Sequence, residues 1–259
     1  MIASDTPPRF HKLSPFQLFR RKLVHGALGT LGVRSYVISA QGARFRVDTA
    51  DYVDRAVVVF GMWDEAQIER LATLASTQRF DAFLDIGANT GFYSVMFAVK
   101  NLCPRIVAFE PDPGNYARLI DNLRLNDLTD RVEAMPLALG ERAGEVKLYE
   151  GWKGNRGEST IAVPEQTPQD KSHLVRVARL DDLYALTGQR LMLKIDVEGY
   201  EFEVLAGMAR TLRDNACYVQ IEHYGTRQND LKAVFAGFGY RFLDTYDIDH
   251  YFTNMPGIG

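Results

Sequence analysis

The sequence predicts an α/β fold: a mostly parallel sheet with helices on both faces, preceded by a small helix-plus-hairpin extension. Three observations lead there. Its 259 residues suffice for one large α/β domain with a small appendage. From Asp81 onward, short apolar runs alternate with segments of helical periodicity, as successive βα units do. The first of those runs ends in "LDIGANTG" (84–91), a Gly-containing turn at a strand's carboxyl end, where open α/β sheets hold their ligands.

The elements follow in chain order. Residues 1–15 hold three prolines and little periodicity, and read as a flexible lead. "FQLFRRKLVHGALGTLG" is a short basic amphipathic helix with Phe16, Phe19, Leu23 and Ala27 on one face and Arg20, Arg21 and Lys22 around the rest. Such a helix either packs against the main domain or docks on a membrane surface or a partner. "SYVISAQGARFRVDT" alternates as two strands around Gly42, a hairpin. We take residues 1–60 as an extension without chemistry of its own and residues 61–259 as the main domain.

"DEAQIERLATLAS" predicts a helix capped by Asp64, with Ile68, Leu71, Leu74 and Ala75 inward. Strands are expected over 82–86, 106–110, 132–139, 191–195, 218–222, 240–245 and 250–253. Helices are expected over 91–99, 115–125, 200–212 and 229–238. Between 140 and 179 two strand-like pieces flank a Gly-rich polar loop.

Composition excludes several classes. Thirty Lys and Arg against 33 Asp and Glu leave a net charge of −3, which gives no whole-chain footprint for nucleic acid. Two cysteines, Cys103 and Cys217, without a CxxC or Cys/His cluster, speak against a disulfide framework or structural zinc and fit a reducing compartment. No apolar stretch approaches the about 20 residues a spanning helix needs, so a cytoplasmic protein without a transmembrane segment is expected.

The glycine turn discriminates among ligands. Against the dinucleotide pattern G-x-G-x-x-G, Asn89 and Phe92 stand where the second and third glycines belong, so a nicotinamide-dependent oxidoreductase is disfavoured. No Gly-Lys-Ser/Thr follows, so the turn is not a P-loop. Asp85 puts a carboxylate at the strand tip for an ammonium or sulfonium, and helix-start NH groups can receive a carboxylate. Glu110 ends the next strand 25 residues after Asp85, near the spacing of about 20 at which an acidic residue accepts ribose hydroxyls. A zwitterion joined to a ribose describes S-adenosylmethionine.

These stretches resemble the FkbM-type S-adenosylmethionine-dependent methyltransferases. "FLDIGANTGFYSVMFA", "VAFEPDPGNYARLIDNLRLN", "LDDL" with "LMLKIDVEGYEFEVLAGM", and "VQIEHYG" carry the resemblance, which runs from about Gly61 onward. It implies a class I methyltransferase, Rossmann-like, with a seven-stranded sheet whose last strand is antiparallel. It also implies O-methylation of a hydroxyl on a sugar, polyketide or related metabolite. N-, C- or protein methylation on the same fold is the alternative. Carried over by position, Asp85, Gly87, Asn89, Thr90 and Gly91 would line the methionine part and Glu110 the ribose. Pro111 and Asp112 would flank the adenosine, with Ala138 beside the adenine. Asn155, Ser159 and Thr160 in "GNRGESTI" would close over cofactor or substrate, or form an ordinary polar loop.

An alcohol acceptor needs a general base or a metal that lowers its pKa. Alternation in "LMLKIDVEGYE" puts Lys194, Asp196 and Glu198 on one side, with an ion pair between Lys194 and a carboxylate. "YVQIEHYG" delivers Glu222 and His223 at the next strand end. The candidate catalytic residues are therefore Asp196, His223 and Glu222. His223 suits a base by its ordinary pKa of about 6.5, while Asp196 and Glu222 could orient the acceptor or ligate a divalent cation. Trp63 and Trp152 either stack on a sugar ring or serve as buried anchors.

Overall fold

The computed structural model describes residues 14–61, 63–149, 151, 159–161, 172–224 and 227–258. Most of the expected lead, with Trp152 and Asn155, lies outside them. Ser14 caps α1 (Pro15–Thr30), its hydroxyl accepting from Gln17 N while the Gln17 side chain accepts from Ser14 N. The hairpin forms as read, β1 (Ser35–Ala40) pairing antiparallel with β2 (Ala43–Asp48). Its two-residue turn, Gln41 and Gly42, has both φ angles positive, as hairpin twist demands.

Two helices were not expected, the short α6 (Leu180–Leu183) and α2 (Tyr52–Phe60). Its Val57–Val58–Val59 run favours strands, but the Asp51 carboxylate accepts from Asp54 N and the buried valines pack inward, which outweighs the propensity deficit. In α3 (Glu65–Thr77), Asp64 sits at the N-cap in a left-handed conformation and makes no capping bond. Its carboxylate instead accepts from Tyr93 Oη at 3.1 Å, so the expected cap is a site residue.

The main sheet runs through β3 (Ala82–Ile86), β4 (Arg105–Phe109), β5 (Val132–Met135), β9 (Arg190–Ile195), β10 (Ala216–Glu222), β11 (Arg241–Tyr246) and β12 (Asp249–Thr253). Their order is β11-β12-β10-β9-β3-β4-β5, with β12 antiparallel to both its neighbours. That is the seven-stranded, mostly parallel sheet with an antiparallel last strand implied by the resemblance. Successive residues face opposite layers. Phe83, Ile106, Met192 and Tyr218 join α4 (Phe92–Val99) and α5 (Pro113–Leu125) in one buried cluster. Leu84, Val107, Leu193 and Val219 join the other, with α7 (Glu201–Gly207), α8 (Ala209–Asp214) and α9 (Gln228–Gly237). The hairpin's Ala43, Phe45 and Val47 and α2's Val57 and Val58 belong to the first cluster, so residues 40–58 share the core of the main sheet.

Two expected elements divide. The strand over 132–139 breaks at Pro136, which has no NH to donate to a ladder. Its remainder, β6 (Ala138–Leu139), pairs with β8 (Ser172–Ala178) in a second sheet with β7 (Gly144–Tyr149). The helix over 200–212 divides at Met208, where a Cβ on Gly207 would stand 2.0 Å from Gly140 O.

Candidate active site

Two cavities open at the carboxyl ends of β3, β4, β9 and β10. The first is a cleft bounded by Gly87, Asn89, Glu110, Pro111, Ala138 and Tyr200, with Ser159 and Ile161 from the polar loop on its far side. The second, about 260 Å³, is walled by Tyr52, Trp63, Asp64, Glu222, Tyr224 and Asp249. Asn89, Asp196 and Glu198 line both.

Backbone bonds build the first cleft. Gly87 N and Ala88 N both donate to Phe109 O, which locks the turn onto β4. Glu110, 5% exposed, clamps that turn: Asn89 N donates to its Oε2 at 2.6 Å and Asp112 N to its Oε1 at 2.8 Å. Burial pushes the Glu110 carboxyl up to about 8, against the pull of those two NH groups.

The expected cofactor residues separate by position. Gly87, Asn89, Glu110, Pro111 and Ala138 line the cleft. Asp85 lies beneath it, fully buried, its Oδ2 accepting from Ser94 N and Ser94 Oγ. Its carboxylate fastens α4 to β3, because strand alternation turns the side chain into the layer below the turn. Thr90 and Gly91 belong to the helix start rather than the lining, Thr90 O accepting from Asn122 Nδ2. Asp112 caps α5 by accepting from Gly114 N and Asn115 N. Ser159 reaches the cleft, and Thr160 Oγ1 donates to Glu198 O, joining the loop to the turn after β9.

The expected catalytic residues also separate. Lys194, 6% exposed, reaches Asp196 Oδ2 at 3.0 Å and Gly87 O at 3.1 Å and lies 5.1 Å from the centre of the Tyr93 ring, the ion pair expected from the sequence. Burial lowers its pKa, but Asp196 and Asp85 outweigh that and hold the ammonium raised. Glu222 faces the second cavity, its carboxyl pushed up to about 8 by burial and then by Asp196. Asp64 rises to about 7, burial again leading. Asp196, Glu198 and Glu222 each bring a carboxylate oxygen within 4.8 Å of the others. Lys194 already supplies a fixed positive charge to that group.

His223 turns away from both cavities. It is 6% exposed, its Nδ1 lies 3.0 Å from Glu201 Oε2, and its ring meets Phe202 edge-on. One residue past β10, alternation points it behind the sheet, where it secures the start of α7. Asp64, Asp249 and Tyr52 were missed as site residues. Asp249 is brought in by the antiparallel pairing Glu222↔Asp249, and its carboxylate accepts from Gln220 and Gln67. No local pattern announces that pairing. Trp63 does reach the cavity wall, meeting Tyr52 edge-on at 6.1 Å.

The seven-stranded, mostly parallel sheet with its antiparallel end strand is the Rossmann-like fold of class I methyltransferases. A family model described as the methyltransferase FkbM domain matches residues 85–250, and the chain belongs to that family of S-adenosylmethionine-dependent enzymes. Hexuronic acid methyltransferase AglP of Haloferax volcanii is 27% identical over 219 residues, covering 79% of this chain and 82% of that protein. The 2-O-methyltransferase NoeI of Sinorhizobium fredii is 28% identical over 144 residues, covering 50% of this chain and 58% of that protein. In the crystal structure of methyltransferase FkbM from Methylobacillus flagellatus KT, the match has a TM-score of 0.49 and 19% identity, covering 91% of this chain and 59% of that one.

A pH response follows from Glu110. Because its folded-state pKa is raised to about 8 from 4.5, the folded protein binds more protons than the unfolded chain between those values. The stability that Glu110 contributes is therefore greatest below the unfolded value and falls as pH rises toward about 8, with Glu222 and Asp64 acting in the same sense. Calorimetric Tm across that range should decline by several degrees. Glu110→Gln should flatten the slope, and an equally steep slope in that variant would exclude Glu110 as a source.

Proposed function

We propose that this chain transfers the methyl group of S-adenosylmethionine to a hydroxyl of a neutral, sugar-like acceptor, with Glu222 as general base. The observation that carries the reading is the meeting of the two cavities at Asn89, Asp196 and Glu198. The donor belongs on the Gly87 and Glu110 side. Glu110 would accept ribose hydroxyls there, Gly87 and Asn89 would bound the methionine part, and Pro111 and Ala138 would bound the base. The acceptor belongs on the Tyr52 and Trp63 side, so that its oxygen approaches the methyl in line at the junction.

The second cavity's chemistry favours a neutral polyol. Asp64, Glu222 and Asp249 provide acceptors for several hydroxyls, and Trp63, Tyr52 and Tyr224 provide faces for a ring. The name of AglP supports a saccharide acceptor and that of NoeI supports O-methylation. Above about pH 8, where Glu222 and Asp64 are ionised, this cavity's carboxylates oppose a uronic acid through like-charge repulsion. Glu222 would take the hydroxyl proton, as general base, when the acceptor oxygen gains the methyl and the sulfonium leaves as a thioether. Its pKa near 8 matches a base working near neutral pH. Asp196, held by Lys194, orients the hydroxyl. No divalent cation is needed in this scheme, since Lys194 balances Asp196 and Glu222 removes the proton.

Glu222→Gln should lower kcat by about 10² to 10⁴-fold with methyl-labelled cofactor while leaving cofactor affinity unchanged. Wild-type kcat should rise with pH to a plateau above about 8, and the variant should lose that limb. Neutral oligosaccharides should be labelled in preference to uronic acids. A variant with full activity would refute Glu222 as base, and labelling of an amine instead of a hydroxyl would refute O-methylation.

A further inference from the structure

We infer that α1 docks this chain on the surface of an anionic lipid bilayer. The helix is mounted with its apolar stripe outward. Its inward face is Leu18, Arg21, His25 and Leu28, and the attachments there are polar. Arg21 donates to Val58 O and Ser39 O, and His25 Nδ1 lies 2.9 Å from Tyr36 Oη. Phe16, Phe19 and Leu23 lie on the opposite side, 72%, 61% and 57% exposed. A solvent-facing helix of a soluble domain has the reverse arrangement.

Charge identifies the occupant. The helix contains no Asp or Glu. At 3.6 residues per turn, Arg20 lies about 60° to one side of the centre of the Phe16–Phe19–Leu23 stripe and Lys22 about 100° to the other. Both are exposed. Cations flanking a bulky apolar stripe are the arrangement of helices lying in a membrane interface: the rings enter the acyl boundary while Arg and Lys meet anionic headgroups. Val24 and Val37, with Arg20, line a groove that extends the same surface from α1 onto β1. Over residues 14–60 there are seven Lys and Arg against three Asp, although the whole chain carries −3. The basic character is concentrated where the apolar surface is. A protein partner covering an apolar core would not call for this one-signed border.

Cosedimentation of the full chain with vesicles tests this. Binding is expected to vesicles of phosphatidylcholine mixed with phosphatidylglycerol, to weaken with salt, and to be absent with phosphatidylcholine alone. Phe16→Ser/Phe19→Ser/Leu23→Ser and, separately, Arg20→Glu/Lys22→Glu should each reduce the partition coefficient by about tenfold or more. Their Tm should stay that of the wild type, since all five side chains are exposed. Equal vesicle binding by wild type and the triple variant would overturn the proposal. So would light scattering that shows a wild-type dimer and a monomeric triple variant, which would assign the face to a second copy.

Discussion

Lys194→Met is expected to cost about 3 to 5 kcal/mol of stability and to abolish methyl transfer, because it strands buried carboxylates. The Lys194 ammonium sits 3.0 Å from Asp196 Oδ2 and offsets the charge of the fully buried Asp85. Methionine fills the volume and supplies no charge. Asp85 has one oxygen, Oδ1, with no hydrogen-bond partner among the described residues, so loss of the ammonium falls heavily on it. Adding Asp85→Asn should recover part of the Tm, since the buried charge is then gone. Transfer should not recover, because Asp196 has lost the group that orients it. Thermal melts and single-turnover rates on the single and double variants separate these effects. A Lys194→Met protein with wild-type Tm would show that water, not Lys194, balances the acidic layer.

Gly87→Ala carries the second large effect. Gly87 has φ +79°, and a Cβ there would stand 1.7 Å from Asp196 O and 2.8 Å from Asp196 C. The obstruction is backbone, so the ends of β3 and β9 must separate. The same movement opens the turn that Asn89 and Glu110 hold and displaces Asp196. A loss of more than about 3 kcal/mol is expected, above the usual range for single substitutions, together with loss of cofactor binding by calorimetry. Gly91→Ala is the control. It shares the positive φ, at +81°, but its Cβ would meet the side chain of Leu119, at 2.2 Å, rather than the backbone of a neighbouring strand end. Its effect should be clearly smaller, and equal effects in the two variants would place the cause in backbone strain alone.

Local pattern made much of this legible. The buried strands 82–86 and 191–195, the Gly42 hairpin and the helix over 115–125 follow from apolar runs and turn residues that act within a few residues. The cleft's Gly87, Asn89 and Glu110 were legible for the same reason, being a strand end and the acidic residue after the next strand. The second cavity was not. Asp64 reads as a helix cap, and only its left-handed backbone turns the carboxylate toward Tyr93. His223 has the right chemistry in the right sequence neighbourhood, yet one step of strand alternation points it at Glu201. Asp249 enters through pairing between strands distant in sequence. Lys194 was legible as an ion-pair partner but not as the charge that balances Asp85, Asp196 and Glu222 together.

The wall of the second cavity has a consequence for how this enzyme could change. Tyr52, Trp63, Asp64 and Gln67 all precede residue 85, where the family match begins. On the proposed reading the acceptor wall is therefore written in two stretches, one before the family match and one, with Glu222, Tyr224 and Asp249, inside it. A chimaera that keeps residues 85–250 and exchanges the segment before them should retain its appetite for the methyl donor while its acceptor range shifts only in part toward that of the graft.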